Sequence, residues 1–90
     1  MITIWKYEIK EPEVTLMIPE DAKVLDVQLQ DGTPIPCIWV AVDTDNILVE
    51  RKFRIHGTGH PMDFKHAGAA GVHYVGTFQM QGFVWHLFEV

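Results

Sequence analysis

Apolar residues along this chain come in short runs cut by turn residues, at about the 8 to 12 residue spacing that marks sandwiches and small barrels. Ile2 to Ile9 alternates, with Trp5, Tyr7 and Ile9 on one face and Ile4, Lys6 and Glu8 on the other, until Lys10-Glu11-Pro12 stops it. Val14 to Ile18 is a shorter strand, and Pro19-Glu20-Asp21 makes the next turn. In the third strand Lys23, Leu25, Val27 and Leu29 alternate with Val24, Asp26, Gln28 and Gln30, which predicts one buried and one wet face. Asp31-Gly32, lengthened by Thr33 and Pro34, reads as the loop of a hairpin. Ile35 to Asp43 is apolar on both faces and belongs mid-sheet, with Pro34 and Pro36 at its start where a missing donor does least harm.

After the polar turn Asp43-Thr44-Asp45-Asn46, the run Leu48 to Ile55 places Val49, Phe53 and Ile55 inward and Glu50, Lys52 and Arg54 outward. Arg51 breaks the pattern, being a cation in phase with the apolar face. From His56 to Gly71 the periodicity lapses into Gly57-Thr58-Gly59-His60-Pro61 and then Ala67-Gly68-Ala69-Ala70-Gly71, the one long connection. Connections of that length in compact domains more often carry function than not. Val72 to Met80 and Phe83 to Val90 form a last hairpin around Gln81-Gly82. The expectation is an all-β fold over residues 1–90 as a single domain: a small antiparallel sandwich or open barrel of about six or seven strands with one long Gly-rich loop.

Composition then narrows the function. The 90 residues are 48% hydrophobic and 11% aromatic, enough to fold without disulfides or a structural metal. A formal charge of −5 opposes the phosphate field of duplex nucleic acid and of anionic lipid, so neither is expected as a partner. Cys37, the lone cysteine, sits between Pro36 and Ile38 and reads as a small buried hydrophobe of a cytoplasmic protein. No segment approaches the roughly 20 apolar residues of a helical membrane span, and the start of the chain carries no basic leader.

The chemistry is thin. There is no serine, Cys37 has no histidine close in sequence, and the Gly57-Thr58-Gly59-His60 string is not followed by the lysine and hydroxyl residue that a phosphate-cradling loop carries after its glycines. His56 and His60 are four apart, with Asp63 and His66 beyond, but Gly57, Gly59 and Pro61 argue against the helix that would make that spacing converge on a metal. His73 and His86 lie within strand patterns and read as surface or hydrogen-bonded sheet residues. No metal, cofactor or catalytic residue is expected; an enzyme would have to rely on His60, His56 and Asp63.

Binding has more to work with. Glycines in Gly57-Thr58-Gly59 can turn successive amides toward an anion, and Arg51 and Arg54 stand just upstream. A guanidinium grips phosphate and an aromatic ring such as Trp5 or Tyr7 stacks on a base. The expected ligand residues are therefore Arg51, Arg54, Gly57, Thr58, Gly59, His60, Trp5 and Tyr7, against the plainer reading of solvated charge, a tight turn and core aromatics.

Several strings also carry a resemblance: Ile4-Trp5-Lys6-Tyr7, Ala22-Lys23-Val24-Leu25-Asp26-Val27-Gln28, Ile38-Trp39, Arg54-Ile55-His56-Gly57-Thr58-Gly59-His60-Pro61, Tyr74-Val75-Gly76-Thr77-Phe78-Gln79 and Val84-Trp85-His86-Leu87-Phe88-Glu89. Together they resemble a widespread family of small bacteriophage-encoded proteins, over nearly the whole chain. That family has no assigned function; small size, phage origin and the ligand chemistry associate such a protein with an anti-defence role in the host-cell cytoplasm, as a non-enzymatic sponge that would sequester a small nucleotide-like anion such as a cyclic-nucleotide immune signal. The apolar residues on both faces of several strands suggest a homo-oligomer with sites near subunit interfaces. The alternative is a protein-binding inhibitor of a host defence or transcription factor.

Overall fold

The computed structural model describes residues 1–62 and 71–90. Seven strands follow one another: β1 (Ile2–Glu8), β2 (Glu13–Pro19), β3 (Lys23–Leu29), β4 (Pro36–Asp43), β5 (Leu48–Gly57), β6 (His73–Met80) and β7 (Phe83–Glu89). They form a three-stranded sheet ordered β1-β4-β3 and a four-stranded sheet ordered β2-β5-β7-β6, antiparallel throughout. The two sheets make an open sandwich, not a closed barrel, and the short axis of the molecule is 17 Å.

Alternation decides which side chains fill the space between the sheets. Val27, Ile38, Val40 and Val42 from the smaller sheet meet Ile18, Phe53, Phe78 and Leu87 from the larger one, all buried. Each such side chain contributes about 1.5–3 kcal/mol relative to exposure. As its double-sided apolar pattern requires, β4 is the central strand of its sheet, and Cys37 on it is wholly buried. Burial pushes the Cys37 thiol above its ordinary pKa; Glu8 adds to the rise and Lys6 opposes it.

The turns use the backbone freedom their residues offer. Gln81 and Gly82 both take positive φ, 53° and 81°, as a two-residue hairpin demands. At Asp31-Gly32 the Thr33 amide donates to the Gln30 carbonyl at 3.1 Å, and the longer loop then delivers Pro36 opposite Leu29. Among the described residues, only this hairpin and β6–β7 pair strands adjacent in sequence.

The third strand departs from simple alternation. The pairing of β3 with β4 slips between Val24 and Asp26, so Val24 and Val27 both pack toward the core while Leu25 is left 46% exposed. The Asp26 carboxylate stabilises the slip by accepting from the Val27 amide at 2.8 Å. A second slip falls between Tyr74 and Gly76 in β6. There Gly76 lies so close to Val27 that a Cβ would sit 2.7 Å from its Cγ1, and this contact lets β3 and β6 carry much of the packing between the sheets.

Candidate functional site

The eight expected ligand residues fall into four separate places. Trp5 and Tyr7 belong to β1 of the smaller sheet, opposite Val40 and Ile38. Tyr7 packs against the core and burial raises its phenol pKa, whereas Trp5 remains 38% exposed. Neither lines the cleft at the glycine turn, which ends β5 in the other sheet.

Arg51 points inward, as its phase requires, and is already engaged. Its Nε donates to Glu89 Oε2 at 2.5 Å, its Nη2 to Glu89 Oε1 at 2.8 Å and its Nη1 to the Ala22 carbonyl at 2.5 Å. This bidentate fork satisfies a cation on the apolar face and ties β5 to the end of β7 and the β2–β3 turn. The Glu89 hydrogen bond holds the guanidinium above its ordinary pKa against the opposing effect of burial. Arg54 faces the outer side, its Nε 3.4 Å from Glu13 Oε2, and lines a cleft of about 290 Å³ with Pro12, His56 and Pro61.

The Gly57-Thr58-Gly59-His60 segment is a turn. The His60 amide donates to the Gly57 carbonyl at 3.0 Å, with Gly59 at φ 84°. The Thr58 amide donates to the Val84 carbonyl at 3.1 Å. With the amides on either side of Gly59 committed in this way, the segment does not present a row of donors to an anion, and its side chains become the relevant groups. The His60 ring folds back over Gly57, where a Cβ would lie 2.6 Å from Nδ1 and Cε1. It meets Trp85 edge-on, centroids 5.9 Å apart, and Phe83 meets the same indole at 6.3 Å. These three rings, Gly57, Thr58 and the Gly82 end of the β6–β7 hairpin bound a cleft of about 190 Å³.

Trp85 lines two clefts at this end of the molecule. Its Nε1 donates to the Met80 carbonyl at 3.2 Å, which fixes the ring. Its other side borders a larger apolar cleft of about 210 Å³ between the sheets, with Ile9, Pro36, Ile55 and Met80. Phase alone places Trp85 on one face of a strand; the register Gly57↔Trp85 sets a residue without a side chain opposite it and leaves room for His60.

Thr58 also joins a polar chain on the outer face of the larger sheet. Tyr74 Oη lies 2.5 Å from Thr77 Oγ1, which lies 2.9 Å from His86 Nδ1, while His86 Nε2 lies 2.6 Å from Thr58 Oγ1. Thr58 Oγ1 in turn donates to the Val84 carbonyl at 3.4 Å. A consistent proton arrangement runs from Tyr74 to Thr77, from Thr77 to Nδ1, from Nε2–H to Thr58, and from Thr58 to the carbonyl. His86 is thus a hydrogen-bonded sheet residue, as its strand setting suggested. Its role as the brace of the glycine turn follows from the cross-strand registers His56↔His86 and Thr77↔His86.

Of the metal reading, Asp63 and His66 lie outside the described residues, as does the Ala67–Ala70 part of the long connection. His56 meets Phe88 edge-on at 6.0 Å and His60 meets Trp85, so the two histidines are engaged with different rings. Among the described residues no cluster of His, Cys, Asp or Glu could hold a metal ion, and no helix is long and apolar enough to cross a membrane.

A family model described as a domain of unknown function, DUF7352, matches residues 1–90. No curated protein and no solved structure matches the chain.

Proposed function

We propose that this chain, which belongs to the DUF7352 family, is a non-catalytic capture module that takes a flat ring of a small, nucleotide-like anion into the cleft beside Trp85. The observation that carries the reading is the cleft itself: three aromatic rings around a glycine floor, in a space of about 190 Å³. Small-molecule sites usually measure about 300–1,000 Å³, so the cleft suits one ring of a ligand whose remainder stays outside. That remainder would follow the 57–61 segment toward Arg54 and Pro61 in the neighbouring cleft. Arg51 takes no part, since Glu89 and Ala22 occupy it.

The reading is of binding without turnover, and the polar chain through His86 supports it. With His86 Nε2 donating to Thr58 and Thr58 donating to the Val84 carbonyl, the pair braces the turn, which favours a structural role over activation of the hydroxyl. Taken with the likeness to small phage proteins, the ligand class is a cyclic-nucleotide host signal, sequestered in the host-cell cytoplasm.

Calorimetric titration with a panel of cyclic di- and trinucleotides tests this directly. Gly57→Ala displaces the His60 ring from Trp85 and should abolish the binding heat while leaving the far-ultraviolet circular dichroism unchanged. Silence from every member of the panel with the native protein, or product formation from any of them, would end the proposal. A second reading, a protein-binding inhibitor, is favoured by the outer face of the smaller sheet, where Ile2 is 78%, Ile4 57% and Leu25 46% exposed. Capture of one host protein that Ile4→Glu releases and Gly57→Ala does not would select it.

A further inference from the structure

Each sheet has two edge strands, and three of the four are defended. β3 and β6 are each broken by a register slip, at Leu25 and before Gly76. β2 is flanked by Pro12 and ends in Pro19. Since the Ile55 amide donates to the Pro12 carbonyl, the odd positions of β2 face its open side, and Pro19 removes a donor there. Irregularities of this kind keep a sheet edge from pairing with another chain. β1 has none: its seven residues, ITIWKYE, run without a slip, a proline or a glycine. Its one lysine does not guard the edge either, because Lys6 Nζ reaches across the sheet to Gln30 Oε1 at 2.6 Å.

The register shows what β1 leaves open. The Thr44 amide donates to the Met1 carbonyl and the Ile9 amide to the Pro36 carbonyl. Met1 and Ile9, and by alternation Thr3, Trp5 and Tyr7, therefore spend their peptide groups on β4. The peptide groups of Ile2, Ile4, Lys6 and Glu8 face away from the sheet, where no strand pairs with them among the described residues. Both faces of this strand are also partly bare. Ile2 and Ile4 are exposed outside, and Trp5 is exposed on the inner side because the sheets pack chiefly through β3 on β6, away from β1.

We infer that β1 is an assembly edge whose occupant is β1 of a second copy, paired antiparallel about Trp5 to fuse two smaller sheets into one of six strands. A strand matched with itself about Trp5 sets Ile2 against Glu8 and Ile4 against Lys6, twice each by symmetry. All four outward residues then pair, giving roughly eight main-chain hydrogen bonds. No like charges stand opposite one another. Centring the pair on Lys6 would set two ammonium groups face to face, and centring it on Ile4 would leave Glu8 unpaired. Only the Trp5 register also brings the two half-exposed indoles together, as a non-hydrogen-bonded pair with its side chains at close range.

The test exploits the fact that the Ile4 amide has no bond inside its own sheet. Ile4→Pro removes a donor that only the assembly uses, so the subunit should fold while the dimer is lost. Light scattering coupled to size exclusion should give the native protein twice its 10.3 kDa chain mass and the Ile4→Pro variant the single-chain mass, with unchanged circular dichroism. Should that variant fail to fold, the register supplies a second pair. Ile4→Lys places an ammonium opposite Lys6 of the other copy and should raise the dimer dissociation constant at least tenfold. Ile4→Glu places a carboxylate there and should hold or lower it. A native protein that is monomeric at every accessible concentration, a folded Ile4→Pro variant that stays dimeric, or equal effects from lysine and glutamate would overturn the inference. None of these outcomes depends on ligand binding at Trp85, so the two proposals stand or fall separately.

Discussion

Replacing Arg51 by methionine separates a structural cation from a ligand-binding one. The methionine keeps the apolar stem but deletes three charge-assisted hydrogen bonds, two to Glu89 and one to the Ala22 carbonyl. Removing one member of a fully buried pair costs about 3–5 kcal/mol, chiefly because the other charge is left unpaired. Here the two side chains keep 20% and 19% of their surface in water, which lets the stranded carboxylate hydrate and lowers the expected loss to about 2–3 kcal/mol. With a urea m-value of about 1 kcal/mol/M for a small domain, the midpoint should fall by roughly 2–3 M. In thermal unfolding the same loss amounts to about 10–20 °C. Adding Glu89→Leu to Arg51→Met removes the stranded charge and should recover most of the loss, since an apolar pair of similar volume is often no worse than a buried ion pair. A loss below about 0.5 kcal/mol for the single variant, within the range of ordinary surface changes, would refute the structural role and return Arg51 to the candidate ligand cations.

Two further predictions follow from burial. Gly76→Ala forces a methyl group against Val27 at 2.7 Å where the sheets meet, and should cost about 1–3 kcal/mol in urea unfolding; Val27→Ala in that background should recover part of it. Equal stability of native and Gly76→Ala proteins would show that β6 can step away from β3. Burial raises the pKa of both the Cys37 thiol and the Tyr7 phenol, so in each case the folded state favours the neutral form. The stability this contributes is complete below the unfolded values, about 8.5 for the thiol and about 10 for the phenol, and is lost as pH rises through the folded ones. The urea midpoint should therefore decline on the alkaline side, beginning at a higher pH in Cys37→Ala than in the native protein. Labelling of Cys37 by iodoacetamide in the native state at the rate of the unfolded chain would contradict its burial.

Strand content was legible in the sequence because period-two alternation is a local property. Ile35 to Asp43 announced a central strand through its two apolar faces, and β4 occupies that place. The phase of β3 was not legible. Leu25, Val27 and Leu29 look like one face, yet the slip at Leu25 lets Val24 inward, and nothing in an apolar residue marks it as the extra one. Arg51 stood out as a cation in phase with the core, but its partner lies 38 residues away on a strand whose neighbour only the sheet order reveals. The expected company of Trp5 and Tyr7 with the glycine turn rested on composition, and the chain places them in the other sheet. Trp85 could have been suspected from its alternation with His86, but its cleft exists only because Gly57 is the residue paired opposite.

The order β2-β5-β7-β6 has a bearing on how the chain reaches its native state. β7 lies between β5 and β6, which do not touch each other within the sheet, so the larger sheet cannot close until residues 83–89 have left the ribosome. Most other pairings join distant segments, as when Ile2 finds Asp43 and Glu13 finds Arg54. Such topologies fold in milliseconds to seconds, with loop closure preceding any reward from burial. During that interval the β1 edge and the unfinished sheet are exposed at the same time, a state whose unpaired strand edges are open to promiscuous cross-pairing.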